Sequence, residues 1–385
     1  MALLLKNANV VDVEAGVANN GNVLLDGGKI VDTTINAVEG GMRVFDCRGG
    51  FLVPGFADAH VHIGLEPDWR NKEAKLPLDK QYNTGRISRN VDSALDYGIT
   101  LMRDVGSPGV WGFKAREQLE KRGRSRLAVA GRLLTNGHAK ELGVLVQGRD
   151  LPKAAMVEIG RGADVIKVAS NKTSISEKAV HEPYTVQELR KLVKTCEKHG
   201  RKVAGHAHEP ELIERALRAG VHTLEHSWPL DEQMAEQMRR KGIIVVPTYA
   251  AAELSRLPEK VSLVPRNVYK AIYLPWLRKL ESGIKRAIRC GVTLACGSDA
   301  GFVPISFGRY AVGEAQAFER FGAAPQEALK SLTIRGAEAC GFQDRLGRIE
   351  EGFEADLVLL KANPLRSTSA LSKVAAVFSR GRLVR

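Results

Sequence analysis

Cysteine is scarce in this chain: five in 385 residues, at Cys47, Cys196, Cys290, Cys296 and Cys340. The number is odd, the spacing is wide and no C-x-x-C occurs, which argues against a disulfide framework and a thiolate zinc site. Cys296, three residues before Asp299, reads as a buried, inert thiol. No run reaches the roughly 18 consecutive apolar residues that span a bilayer. The opening "MALLLKNANVVDVEAG" has three leucines but no basic leader or cleavage site, so a first strand is expected there, and a cytoplasmic protein. Basic runs with interleaved aromatics are absent too. "KRGRSR" (121–126), "RRKG" (239–242) and the terminal "RGRLVR" are short and scattered. The excess of 57 basic over 44 acidic residues, net +13, therefore reads as a solvated surface that can help attract an anionic substrate. Hydrophobic residues at 44% and charged residues at 26% are ordinary globular values.

Histidine is also sparse, nine in all, yet His60 and His62 sit one residue apart in "FADAHVHIG". Positions i and i+2 of a strand share a face, so both imidazoles point the same way at a strand end. Residues 1–55 are short alternating strands broken by turns, with Asp26-Gly27-Gly28 as a hairpin signal. From residue 56, strand-like runs alternate with amphipathic ones. Eight strands are expected, at 55–63, 99–106, 127–135, 164–170, 202–208, 222–227, 243–249 and 292–299. Helical stretches such as 185–200, 209–220 and 230–242 end on glycine, a common C-terminal cap.

That alternation predicts an α/β chain with a (β/α)8 TIM barrel over 56–344. A doubly wound open sheet would show a glycine-rich phosphate loop after its first strand, and none appears. The tail returns to short strands, so segments 1–55 and 345–385 are expected to build one small composite β-sandwich domain.

The barrel places ionisable residues at the strand ends that converge on one mouth. His60 and His62 end the first strand, His206 and His208 the fifth, His226 the sixth and Asp299 the eighth. Lys167 lies inside the apolar fourth strand, where a lysine is costly unless neutralised, paired or modified. One reading buries its stem and lets the head reach water. The other is a lysine carrying carbon dioxide as a carbamate, a carboxylate-like bridge between two metals; burial beside cations would favour the neutral amine that reacts. Imidazole and carboxylate ligands suit zinc, and also manganese, iron or cobalt.

These positions, with "FLVPGFADAHVH", "GITLMRDVG", "GADVIKVAS", "GHAHEPELIERALRAGVHTLEHS", "GSDAG" and "GRIEEGFEADLVLLKANPL", resemble the amidohydrolase superfamily, in its prolidase-like and imidazolonepropionase-related branch. The resemblance runs from the first strand to "RGRLV". It implies a metal-dependent hydrolase of amide-type C–N bonds in an N-acyl amino acid, a dipeptide or a cyclic amide. It further implies two divalent ions, zinc foremost. His60, His62 and Asp299 would hold the buried one, His206 and His226 the second, and N6-carboxylated Lys167 would bridge them. A water activated between the metals would attack, and Asp299 would pass its proton to the leaving nitrogen. His138, in the loop after the third strand, matches a loop that contacts the substrate carbonyl in relatives. His208 is expected as a substrate contact, Tyr249 and Arg103 as rim contacts to substrate or supports behind the ligands, His222 as a structural or supporting residue, and His181 and His199 as loop and surface residues.

Two departures stand out. "HAHE" (206–209) also fits the superfamily's mononuclear deaminases, where the glutamate, here Glu209, shuttles protons; those generally lack the strand-four lysine. The stretch 301–318 has no histidine, whereas many relatives carry one there. The alternatives are thus a deaminase using Glu209, a lactone or carbamate hydrolase, and a scaffold of this fold without metals, which would usually lack some ligands. The expected partner is a small-molecule substrate, with self-assembly into a homo-oligomer allowed and neither nucleic acid nor membrane involved.

Overall fold

The computed structural model describes residues 2–35, 42–66, 76–171, 182–227, 229–249, 274–302 and 305–385. His181 and part of the histidine-free stretch lie outside these residues. Five strands come first: β1 (Leu3–Asp12), β2 (Val17–Asp26), β3 (Lys29–Asp32), β4 (Arg43–Asp46) and β5 (Phe51–Pro54). The barrel region follows with β6 (Phe56–Val61), β7 (Ile99–Asp104), β8 (Arg126–Val129), β9 (Leu133–Thr135) and β10 (Gly143–Leu145). It continues with β11 (Val165–Ala169), β12 (Lys202–Ala207), β13 (Thr223–His226) and β14 (Ile244–Val246). The chain closes with β15 (Leu357–Leu360), β16 (Val374–Ser379) and β17 (Arg382–Leu383).

Strands β6, β7 and β8 pair in parallel, and β10-β9-β11-β12-β13-β14 form a second parallel sheet. The expected third strand is thus divided in two. The bend falls at Gly131, whose φ of +72° suits glycine and where a Cβ would stand 2.4 Å from Glu158 Oε2. One half pairs back to β7 and the other forward to β11.

The expected eighth strand is irregular, yet it closes the circle. Val245 N donates to Thr293 O (2.9 Å) and Ala295 N to Val245 O (3.0 Å) on one side. On the other, Ala59 N donates to Cys296 O (2.8 Å) and His62 N to Ala300 O (2.9 Å). Gly297 explains the tight approach, because a Cβ there would lie 2.4 Å from Val246 Cγ1 and 2.7 Å from His60 Cβ.

Helices pack outside the strands for reasons visible in their sequences. In Val186–Lys198, Thr185 and Glu188 make a reciprocal capping box, and Leu189, Leu192, Val193 and Cys196 form one buried stripe. The Leu189, Leu192 and Val193 side chains each contribute about 1.5–3 kcal/mol of transfer free energy, before the entropy cost of ordering them. Gly220 and Gly242 end the helices Pro210–Ala219 and Glu232–Lys241 in the left-handed conformation. No helix among the described residues is long and apolar enough to cross a membrane.

Both chain ends enter one mixed sheet, ordered β17-β16-β15-β5-β1-β2-β3 with β4 also on β1. β5 pairs antiparallel with β15, so residue 54 faces residue 357. The sheet curls around Leu5, Val23, Leu25, Ile30, Leu52, Leu357 and Phe378. Phe45 of β4 meets Phe378 of β16 edge-on at 5.1 Å, although those strands are not paired. The fold is therefore α/β, a TIM barrel with a small β-domain to which both ends of the chain contribute. Arg126 of β8 ties the two parts by bonding Asp356 (Nε to Oδ2, 3.2 Å) and Glu354.

Candidate metal centre and active site

The strand periodicity brings the expected residues to one end of the barrel. His60, His62 and Asp299 form one group with metal-ligating atoms within 4.8 Å of one another; His206, His208 and His226 form a second. His60 and His226 link the groups, with ring centroids 5.0 Å apart. Asp299 Oδ1 stands 3.5 Å from both His60 Nε2 and His62 Nε2. Lys167 is buried, and its Nζ has no hydrogen-bond partner among the described residues. Its charge acts on His60 and Asp299 in one group and on His206, His208 and His226 in the other. The two donor groups fit divalent cations, and the buried amine acts electrostatically on both of them.

The backbone presents this set at a cost. His226 (φ +71°), Ser227 (+64°), Thr248 (+52°) and Asp299 (+58°) are all left-handed non-glycine residues at the mouth. Three of the candidate histidines are also held from behind. His62 Nδ1 donates to Gly106 O (2.9 Å), His226 Nδ1 meets Thr248 Oγ1 (2.7 Å) and His60 Nδ1 meets Glu225 Oε2 (2.6 Å). Asn171 Nδ2 lies 3.2 Å from both His138 Nδ1 and His206 Nε2, and its buried Oδ1 has no partner.

Electrostatics follow from burial. Burial, then the Lys167 charge, lowers His60 to about 4; burial, then His138, lowers His208 to about 4. Burial and the neighbouring imidazoles push His206 and His226 well below the ordinary range, leaving all four neutral and ready to ligate. Burial lowers Lys167 to about 8 despite the opposing Glu225 charge. For Asp299 burial acts upward, but the His62 hydrogen bond and the charges of His60 and His62 outweigh it and hold the carboxyl low. Burial likewise raises Glu225, yet Arg103, Lys167 and His60 keep it ionised.

Two of the residues expected at the rim or behind the ligands are buried away from the mouth. Arg103 is not on the rim; it is fully buried beneath the cluster, bonding Ala59 O (2.6 Å), Glu225 Oε1 (2.8 Å), Thr223 Oγ1 (3.1 Å) and Ala339 O (3.0 Å). Tyr249 is also fully buried and turns into the helical layer, its hydroxyl on Glu281 Oε1 (2.8 Å) and its ring 5.1 Å from Phe321. Neither is placed to touch a substrate. His208, expected further out than the ligands, stacks on His226 at 4.7 Å and falls inside the second group.

His138 does reach the site, its ring 4.4 Å from His206. His222 is structural, accepting from Val203 N (3.1 Å), and His199 lies exposed at a helix end. Glu209 stands at the start of the helix Pro210–Ala219, outside both groups. Cys296 is buried beside Ser331, and burial raises its thiol.

Several residues of the site escaped the sequence reading: Asp58, Asn171, Glu225 and Thr248. Glu225 carried a signal, since a carboxylate inside "HTLEHS" is as anomalous as Lys167 in its strand. So did Asp58, which shares the period-2 face of His60 and His62 and accepts from Ser298 N (2.9 Å) and Oγ (2.5 Å). Asn171 and Thr248 carried none.

Residues 51–384 match the amidohydrolase family. The chain is 29% identical to the ochratoxinase of Aspergillus niger over 360 residues, 85% of this chain and 73% of that protein. Among solved structures, a Xaa-Pro dipeptidase with bound methionine superposes with a TM-score of 0.87 at 24% identity, covering both chains fully. A prolidase complexed with N-methylphosphonate-L-proline gives 0.85 at 27% identity, again over the whole of both.

Proposed function

Because the chain belongs to the amidohydrolase family and is a hydrolase acting on C–N bonds, we propose that it cleaves an amide-type bond with two divalent cations held around a carboxylated Lys167. The observation that carries this reading is the buried Lys167 Nζ, without a hydrogen-bond partner among the described residues, whose charge acts on both ligand groups. On this reading the neutral amine adds carbon dioxide, forming the N–C bond of a carbamate and releasing one proton. His60, His62 and Asp299 would hold one ion, and His206 and His226 of the second group the other. The ions, zinc by the donor set, would supply Lewis acidity and a water of lowered pKa.

The protein's own groups do the rest. Asp299 Oδ1, flanked by two histidine nitrogens at 3.5 Å, accepts the proton of the attacking water and returns it to the leaving nitrogen. His138, beside His206, donates toward the substrate carbonyl. His208 contacts substrate from the same face. The ligand in the similar prolidase is an N-substituted proline, which puts N-acyl amino acids and Xaa-Pro dipeptides first among substrates. The substrate is a small molecule, and the compartment is the cytoplasm.

The test is metal analysis of purified protein together with turnover of N-acyl amino acids, Xaa-Pro and Xaa-Arg dipeptides, cyclic amides, lactones and carbamates. Two ions per chain and amide cleavage are expected, with both activity and metal lost in His226→Ala. Full activity after thorough chelation would refute the proposal. Ammonia release with one ion, abolished by Glu209→Gln, would establish the deaminase instead.

A further inference from the structure

A charged pair lies under the site where apolar side chains would pack. Arg103 and Glu225 are both fully buried. Taking each ion out of water costs several kcal/mol, and replacing such pairs by hydrophobic residues is often neutral or stabilising. Packing alone therefore does not account for the pair. Its connections suggest what does. Glu225 Oε1 accepts from Arg103 Nη2 (2.8 Å) and Thr223 Oγ1 (2.6 Å), leaving Oε2 to face His60 Nδ1 at 2.6 Å. Arg103 is itself clamped by Ala59 O on β6 and by Ala339 O in the helix Ile334–Cys340, which fixes the carboxylate from below.

The other candidate ligands are supported differently. A backbone carbonyl backs His62 and a hydroxyl backs His226. Among the described residues, His60 is the candidate ligand with a carboxylate on the ring nitrogen that faces away from the site. A hydroxyl can donate or accept, so it tolerates either imidazole tautomer. A carboxylate already holding Arg103 and Thr223 only accepts.

We infer that Glu225 is a positioning residue that locks His60 with its proton on Nδ1, presenting an unprotonated Nε2 beside Asp299. Arg103 keeps the carboxylate in place and balances its charge. This inference rests on the reading of His60 as a metal ligand.

The experiment uses protein labelled with ¹⁵N-histidine and stripped of metal, with His60 assigned by comparison with His60→Asn. Long-range ¹H–¹⁵N spectra should show the proton on Nδ1. A proton on Nε2 in the wild type would overturn the inference without any variant. Glu225→Gln preserves shape but can turn an NH2 toward His60; the Nε2-protonated form should appear, and zinc affinity measured against a competing chelator should fall 10–100-fold. Affinity within twofold of wild type would overturn the inference. Should Glu225→Gln not fold, Glu225→Asp, which keeps the charge on Arg103 but withdraws it from His60, carries the same affinity test and threshold. If the protein holds one ion or an unmodified Lys167, the two-metal reading fails, yet the tautomer result stands because it is read without metal.

Discussion

Thr248 shows how the site spends conformational energy at single residues. A β-branched residue at φ +52° is strained, and its hydroxyl lies 2.7 Å from His226 Nδ1. Thr248→Gly relaxes the backbone but deletes the hydroxyl. It should therefore leave thermal stability intact or raised while weakening metal binding about 10–100-fold, with Thr248→Ser near wild type. Equal metal affinity in all three proteins would show the hydroxyl to be irrelevant.

Lys167 gives a pH prediction. Burial lowers it from 10.5 to about 8, so the reactive neutral amine grows roughly tenfold per pH unit below that value. At fixed dissolved carbon dioxide, reconstitution of metal-free protein should speed up to about pH 8 and then level off. Lys167→Ala should lose the second ion and cut turnover by orders of magnitude, with partial rescue by acetate or propionate. The histidines, Lys167 and Asp299 were legible because each interrupts an apolar run at a strand position. Thr248 and Asn171 were not, because a polar residue at or just past the end of an expected strand is unremarkable until its partner is known.

At the scale of elements, strand order and the inward face were readable, since period 2 and glycine-terminated helices are local properties. Regularity was not readable. The third strand bends at Gly131 because its two halves serve different neighbours, and the eighth runs as bridges because Gly297 lets it press onto β6 and β14. Both are tertiary facts with no counterpart in local pattern. Tyr249 was misplaced for the same reason, and Arg103 took the supporting one of its two expected places: a strand end was recognised, but not which way the side chain leaves it. Gly297→Ala tests the close approach. Its Cβ would strike Val246 and His60, so a loss of about 1–3 kcal/mol in denaturant unfolding is expected, with weakened metal binding. Unchanged stability would mean the eighth segment can shift freely.

For the whole molecule, the neutral histidine cluster predicts acid sensitivity in metal-free protein. His60 and His208 take up protons near pH 6.5 when unfolded but only near 4 when folded. Between those values the unfolded chain binds more protons, so stability present above pH 6.5 is lost as pH falls toward 4. The loss is on the order of 3 kcal/mol per histidine. Urea unfolding at pH 7.5 and pH 5 measures it, and equal midpoints would contradict it.

Arg126 tests the joint between barrel and sheet. Arg126→Met leaves the buried Asp356 without its cation, while Glu354 keeps Arg345, and should cost about 3–5 kcal/mol. We further propose that segments 1–55 and 345–385 unfold together as one unit, which hydrogen exchange would show as matched protection in β5 and β15.

The pairing of β5 with β15 also sets an order of events at the ribosome. Residue 54 waits for residue 357, a delay on the order of tens of seconds at ordinary synthesis rates. The barrel can assemble in that interval, but the apolar strand Phe51–Pro54 must pass it with one edge open. It is the stretch of the nascent chain that a chaperone should occupy longest.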